Sequence, residues 1–224
     1  MQTFDLDQQP VRDLNAWLHG NSAGAVSVLN AGGRHAVAVG IANAHEVIID
    51  GNVGYYCAGM NRDASVTVQG HAGPGLAENM MSGVVRVTGS ASQYCAATAH
   101  GGLVVIEGDA AARCGISMKG VNIVVRGNVG HMSAFMAQKG ALVVCGDAGD
   151  ALGDSIYEAR LYVRGEVRSL GADCEEKPMK DEHVAQLSDL LSASGTEGVD
   201  VSDFKRYGSA RKLYHFNVDN ASAY

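Results

Sequence analysis

The chain has 224 residues, enough for one substantial core, or for one domain with two small appendages. Its 17 basic and 24 acidic residues give a net charge of -7, which argues against a nucleic-acid or anionic-membrane partner, because phosphate binding needs a basic face. The sequence has no apolar run of the ~18 residues needed to cross a bilayer, no signal-peptide pattern, and five cysteines without paired spacing. We therefore expect a cytoplasmic protein.

Residues 1–45 are predicted to form an N-terminal cap. After Pro10, one helical face carries four apolar residues, and Gly20 is a natural stop. These four are Val11, Leu14, Trp17 and Leu18. The apolar pieces AVSVL and HAVAVG indicate one or two irregular strands. Because Asn30 would occupy an inward position, the regular repeat is not expected to begin before residue 46.

Residues 46–171 are predicted to form a repeat domain, in which one glycine recurs every nineteen residues. It stands at Gly51, Gly70, Gly89, Gly108, Gly127, Gly146 and Gly165. The positions four and two residues before each glycine are always Val, Ile or Leu. Strand side chains alternate between faces, so these positions form inward ladders when the strands stack in parallel. Repeats that cannot bury their apolar face alone are typical of a solenoid.

Two further small positions follow each of the first six glycines, three and seven residues later, so each coil is expected to have three corners or thin sides. The recurring glycine itself is expected to supply a positive φ or a tight corner. We predict an all-β fold, a right-handed parallel β-helix of about seven coils with 19-residue repeats. Short N- and C-terminal helical segments are expected to cap it.

Residues 172–224 are predicted to form a C-terminal helix and a docking tail. Four apolar residues form one stripe, and Gly195 closes the helix, which either caps the last coil or lies along the rod. The stripe consists of Val184, Leu187, Leu190 and Leu191. The tail from Asp203 mixes basic and aromatic residues. It is either a docking arm or an ordered extension on its own rod.

Cysteine and histidine offer no clear reactive site. Cys57, Cys95 and Cys114 share one repeat phase, but Leu76 interrupts it and there is no Cys-x-x-Cys. Core cysteines are therefore favoured over a metal or iron–sulfur site. The histidines are scattered, and none lies at triad spacing from Ser, Cys or Asp. Three of them, His71, His100 and His131, occupy different repeat phases.

Two further stretches resemble ligand-binding motifs only superficially. Asp147, Asp150 and Asp154 resemble a calcium-binding β-roll, but the motif occurs once, which favours turn chemistry. The stretch GPGLAENMMSG is glycine-rich, but a dinucleotide-binding fingerprint must be followed by a helix within a βαβ unit, and this stretch is not. No catalytic, cofactor-binding or metal-binding residue is assigned.

The outward strand positions suggest that something covers the rod. The middle outward residues are Ile48, Thr67, Arg86, Val105, Val124, Val143 and Tyr162. Three successive valines imply either a partner or this chain's own terminal helix. Glu107 and Arg126 are expected to be neighbours on adjacent coils. The loop side carries six methionines that suit either a contact surface or ordinary filling, namely Met60, Met80, Met81, Met118, Met132 and Met136.

The repeated strand-Gly-x-x-Gly-x-x-x-Gly pattern resembles the GXGXG β-helix family. That family includes the C-terminal domain of the glutamate synthase large subunit and one subunit of formylmethanofuran dehydrogenase. The blocks GYYCAGMNRDASVTVQG, ARCGISMKG, GHMSAFMAQKG and KRYGSARKLYHFNVDN are most similar to the free-standing β-helix subunit of N-methylglutamate synthase (methylamine–glutamate N-methyltransferase).

The resemblance implies a complex that converts methylamine and L-glutamate to N-methyl-L-glutamate and ammonia. It implies two partners, a glutamine-amidotransferase-like subunit and a glutamate-synthase-like subunit with FMN and an iron–sulfur cluster. No cofactor is expected in this chain, whose role would be that of a non-catalytic scaffold. The alternative is the β-helix subunit of a formylmethanofuran dehydrogenase or of a split glutamate synthase. A solenoid enzyme is disfavoured, because hexapeptide acyltransferases need a six-residue period and pectate-lyase-like enzymes are usually secreted.

Overall fold

The structure, a computed structural model, describes residues 1–213; the end of the predicted tail, residues 214–224, lies outside this description. The strands are β1 Gln2–Asp5, β2 Ala25–Leu29, β3 Glu46–Asp50, β4 Ser65–Gln69, β5 Val84–Val87, β6 Leu103–Ile106, β7 Lys119–Val125, β8 Lys139–Val144, β9 Arg160–Val163, β10 Cys174–Lys177 and β11 Lys205–Ser209. The helices are α1 Val11–Gly20, α2 Asp181–Ser194 and a 3-10 turn Val201–Asp203. The strands form one sheet of order β1-β2-β3-β4-β5-β6-β7-β8-β9-β11-β10.

Strands β1 to β9 pair in parallel, and from β3 to β9 the nineteen-residue period is their register. Val66 pairs with Val85, and Val85 pairs with Val104. All three are completely buried, so the aliphatic positions form the predicted inward ladders. A second ladder of isolated parallel bridges runs from Val53 to Val167, two residues after the recurring glycine. The prediction of a right-handed parallel β-helix is confirmed.

The stacking begins one coil earlier than the sequence indicates. Strand β2 contains the piece AVSVL, and its Val26 and Val28 pair in parallel with Val47 and Ile49 of β3. The step between these strands is 21 residues rather than nineteen. This longer coil shifts the phase, so stacked strands extend into the predicted cap, whereas the regular nineteen-residue repeat begins with β3, as predicted. The piece HAVAVG forms no strand.

The recurring glycine has a different role from the one expected. Of its seven occurrences only Gly51 has a positive φ, of 91°. At the others the coils approach closely: a Cβ added to Gly89 would lie 2.6 Å from the carbonyl oxygen of Gly70. At Gly108 the corresponding distance, to the carbonyl oxygen of Gly89, would be 2.9 Å. Glycine is therefore required at these positions because two backbones meet there.

The tight curvature lies five, seven and nine residues after the recurring glycine. In the six coils from Gly51 to Gly146, every residue at these positions has a φ between 51° and 72°. Most are not glycine. Their amides alternate between neighbouring coils: Ala96 N–H donates to Leu76 O on the preceding coil at 2.7 Å, and Thr98 N–H donates to Ile116 O on the following coil at 2.9 Å. These bonds offset the cost of about 1–2 kcal/mol for each left-handed residue.

The two ends of the rod are closed differently. Helix α1 covers the first coil, as predicted, and its Leu14 and Leu18 are completely buried in the core. At the other end β11 runs antiparallel to β9, and β10 runs antiparallel to β11. Residues 205–209 of the predicted tail thus lie on the rod itself. Within residues 1–213 no helix has both the length and the apolar character required to span a membrane.

Helix α2 lies along the rod rather than over its end. Its first turn is beside β9, where Arg160 forms a 3.1 Å ion pair with Glu182. Its last carbonyl groups lie beside β5, where Arg86 donates to Ser194 O at 2.9 Å. Gly195 ends the helix with a φ of 66°, as predicted. The apolar stripe predicted for α2 is wrong at one position, because Val184 is 43% exposed.

Candidate functional site

Helix α2 covers the outward valine stripe. Val105, Val124, Val143 and Tyr162 are completely buried. The last three form one apolar cluster with residues of α2 and the segment that follows it, namely Leu187, Leu190, Leu191 and Phe204. Tyr162 donates its hydroxyl hydrogen to Gln186 Oε1 at 2.8 Å, and burial raises its pKa. Of the two coverings that the sequence left open, the chain's own helix is therefore the correct one.

A charged row lies beneath the C-terminal end of α2. Glu107 Oε1 is 3.1 Å from Arg86 and 3.7 Å from Arg126, so the predicted contact between Glu107 and Arg126 is confirmed. Arg126 also donates to the carbonyl oxygens of Ser194 and Gly195, at 3.2 and 2.7 Å. Cations at a helix C-terminus satisfy free carbonyl groups and complement the helix dipole. The row therefore attaches α2 to the rod.

The predicted core cysteines are confirmed as buried side chains. Cys57, Cys95 and Cys114 are completely inaccessible, and Leu76 lies in the same ladder. Burial raises the pKa of Cys57 to about 12. Hydrogen bonding to Cys114, together with burial, raises the pKa of Cys95. Among the described residues no group of three or more His, Cys, Asp or Glu side chains is arranged to hold a metal ion. These thiols are accordingly unreactive fillers of the core.

The aspartates of the GDAGDALGD stretch bond to neighbouring turns. Asp147 accepts from the amide of Glu166 at 2.8 Å, and Asp154 accepts from the amide of Ala172 at 3.1 Å. Asp150 accepts from Ser169 Oγ at 3.2 Å and pairs with Arg168 at 3.4 Å. The interpretation as turn chemistry is confirmed. The glycine-rich stretch near Gly75 is likewise a turn, and strand β5 rather than a helix follows it.

A ladder of polar side chains, not anticipated from the sequence, follows the recurring glycine. At this position each side chain from Asn52 to Asp147 accepts a hydrogen bond from the backbone amide of the same position one coil later. Asn52 accepts from His71, His71 Nδ1 accepts from Ser90, and Asp109 accepts from Asn128, at 2.8, 2.9 and 2.7 Å. The sequence contains a signal for this ladder, because the residue that follows each recurring glycine is polar. These residues are Asn52, His71, Ser90, Asp109, Asn128, Asp147 and Glu166. Their shared property is the ability to accept a hydrogen bond.

The histidines do not converge. His71 belongs to this ladder, whereas His100 and His131 are exposed at other positions on the coils. The two buried imidazoles are others, His45 and His183. His45 packs against Trp17 beneath α1 and lies 3.1 Å from Leu18 O. Both support the helices that cover the rod.

Large apolar side chains remain exposed on the first three full coils. The predicted methionines divide between two roles, because Met80 and Met118 are completely buried whereas Met60 and Met81 are exposed. Tyr55 and Tyr94 are also exposed, and Tyr55 stacks on His35 at 4.3 Å between ring centroids. We call Tyr55, Met60, Met81 and Tyr94 the Tyr–Met surface. Aromatic residues and methionine are enriched in protein–protein interfaces.

No protein-family model matches the sequence. No solved structure matches the chain. A curated protein does: Protein GlxC of Rhizobium meliloti (strain 1021) is 60% identical over 228 aligned positions, which cover the whole of both chains. The chain therefore belongs to the same family as Protein GlxC.

Proposed function

We propose that this chain is the non-catalytic scaffold subunit of a glutamate-synthase-like complex. The main support for the proposal is the set of hydrogen-bond partners that the polar side chains have. In the rod they bond coil to coil or attach α2, and within residues 1–213 every buried side-chain nitrogen and oxygen has a hydrogen-bond partner. A catalytic site typically keeps polar groups convergent in a cleft and available to a substrate. Here the polar ladder and the charged row instead bind the coils to one another and to α2.

The rod also has the mechanical properties of a spacer. Each coil bonds to its neighbours through the main sheet, the bridge ladder and the left-handed turns. Domains joined to such a rod are held at a fixed separation. The Tyr–Met surface offers exposed apolar area to which a partner can bind.

The complex that we propose converts methylamine and L-glutamate to N-methyl-L-glutamate and ammonia in the cytoplasm. Its partners are a glutamine-amidotransferase-like subunit and a glutamate-synthase-like subunit that carries FMN and an iron–sulfur cluster. This chain binds neither cofactor. Support for this choice comes from the GXGXG-type repeat pattern and the longer sequence blocks, which the whole chain carries.

Co-purification from native extract tests the proposal. The full-length chain, tagged and expressed in its own host, is expected to retain two partners and the absorbance of oxidised flavin. The isolated complex is expected to form N-methylglutamate from methylamine and glutamate. Recovery of formylmethanofuran dehydrogenase subunits instead would assign the scaffold to that complex. A chain that remains monomeric in the presence of both expected partners would refute the proposal.

A matched pair of variants tests the docking surface. Tyr55→Ser combined with Met60→Ser removes apolar area from the Tyr–Met surface, and we expect it to lower partner recovery at least tenfold. Val184→Ser changes a comparably exposed residue on α2 and should leave recovery unchanged. Equal recovery with both variants would show that partners bind elsewhere.

A further inference from the structure

A basic cavity lies at the N-terminal end of α2, where this helix meets β9, β10 and β11. Its volume is about 400 Å³. Its lining includes five basic residues, namely Arg160, Lys177, Lys180, Arg206 and Arg211. Only two acidic residues, Glu158 and Glu182, line it. The cavity is therefore strongly positive on a chain whose net charge is -7.

The strand register creates this charge concentration. Arg206 of β11 lies directly opposite Tyr162 of β9 on one side and opposite Lys177 of β10 on the other. Arg160 is two residues before Tyr162 and so projects from the same face of β9. Like charges directly opposite each other on antiparallel strands are destabilising. Lys177 receives a compensating charge from Glu175, which lies 2.5 Å away on the same strand, so Arg206 is the member of this pair that lacks one.

The chain's own carboxylates do not supply it to Arg206. Arg160 pairs with Glu182 at 3.1 Å, and Arg211 pairs with Glu158 at 2.9 Å. Arg206 donates from Nε to Pro178 O at 3.1 Å, and among the described residues no carboxylate lies within ion-pair distance of it. Burial is the largest influence on Arg206 and lowers its pKa, while the nearby Tyr162 and Glu182 act in the opposite direction.

The first turn of α2 carries two acidic side chains, Asp181 and Glu182, but its backbone contributes a positive field. Free amide groups at a helix N-terminus, together with the helix dipole, favour a bound anion. Lys180 precedes the helix and lines the cavity. His183 is buried, and its Nδ1 accepts a hydrogen bond from the Lys180 amide at 3.1 Å. This bond fixes the orientation of the first turn beside the basic side chains.

We propose that this cavity binds a small oxyanion, through the free guanidinium nitrogens of Arg206 and the ammonium group of Lys180. Carboxylate and phosphate share the geometry that an arginine fork recognises. The inference concerns this chain alone and holds whichever complex the rod belongs to.

Calorimetric titration of the full-length chain tests the proposal at constant ionic strength. The probes are inorganic phosphate, succinate and the uncharged analogue succinamide. We expect saturable binding of phosphate or succinate and none of succinamide, and the tighter of the two anions identifies the source of the oxyanion. Binding should weaken at least tenfold when sodium chloride is raised from about 50 to 500 mM, because the interaction is electrostatic.

Variants locate the site. Arg206→Gln is expected to weaken binding at least tenfold, whereas Arg12→Gln, an equal charge change on the exposed surface of α1, should have no effect. Lys180→Gln changes an exposed side chain, so it preserves the fold and should weaken binding two- to fivefold. Absence of saturable binding, or binding that is equal in the wild type and in both cavity variants, would overturn the proposal.

Discussion

Replacing Gly89 by alanine is expected to separate two coils of the rod. In the structure, the Gly89 amide donates to Gly70 O at 2.8 Å, and the next amide, of Ser90, donates to His71 Nδ1 at 2.9 Å. An added Cβ would lie 2.6 Å from both of these acceptor atoms. The His71 ring can rotate away, but the backbone of Gly70 cannot, because its coil is hydrogen-bonded to the coils before and after it. The strain therefore falls on the spacing between coils.

The cost follows from these contacts. Overpacking a well-packed site costs about 1–3 kcal/mol. Two weakened hydrogen bonds add about 1 kcal/mol each. We expect Gly89→Ala to lower the free energy of unfolding by about 3–5 kcal/mol. For a chain of this length that is a fall in Tm of about 6–20 °C.

Thermal and urea unfolding, followed by circular dichroism, measure the effect. Gly24→Ala is the matched control, because an added Cβ there meets nothing within 4 Å and the backbone is not left-handed. Its stability should change by less than about 1 kcal/mol. If Gly89→Ala and Gly24→Ala unfold at the same temperature, close coil approach is not the reason for the glycine period.

Three further measurements address α2 and the core. Leu187→Ala, at a completely buried position of α2, should lower the free energy of unfolding in urea by about 2–5 kcal/mol. Val184→Ala should lower it by less than about 0.5 kcal/mol. Similar losses for the two variants would contradict the observed packing of the helix. Burial, followed by the charge of Arg206, lowers the pKa of His183 below 6.5. The neutral imidazole therefore contributes stability above pH 6.5, and this contribution is lost as the pH falls through the lowered pKa. His183→Gln should therefore flatten the acid limb of the stability curve, and an unchanged limb would refute this assignment. With a pKa of about 12, Cys57 should resist iodoacetamide at pH 8 in the native chain and react in guanidinium; rapid native labelling would show that the core opens.

The period and the inward aliphatics were predictable because they rest on a local rule. Side chains alternate along a strand, and a fixed repeat brings like residues together. The same holds for α1 and for Gly195, whose signals lie within a few residues. The long coil before β3 was missed because two extra residues shift the phase without leaving a pattern.

The remaining features depend on contacts between distant residues. The outward valines indicate that they are covered, but not by what, and α2 begins at Asp181, 38 residues after Val143. The exposure of Val184 follows from where the first turn of α2 meets β9 and β11. The basic cavity likewise depends on the pairing of β10 with β11, since in the sequence Lys177 and Arg206 are 29 residues apart. Such pairings are tertiary, and no local period reports them.

The length of α2 restricts how the number of coils can vary. Fourteen helical residues measure about 21 Å, close to the ~19 Å spanned by the four strand spacings from β5 to β9. A coil inserted in that interval would move one end of the helix off its partner, either Arg86 or Arg160. The apolar cluster under α2 takes its strand residues from β6 to β9, so a coil inserted between β3 and β4 would leave it intact. The second half of the rod is thus fixed in length by its helix, while the first half is free to lengthen or shorten by whole coils.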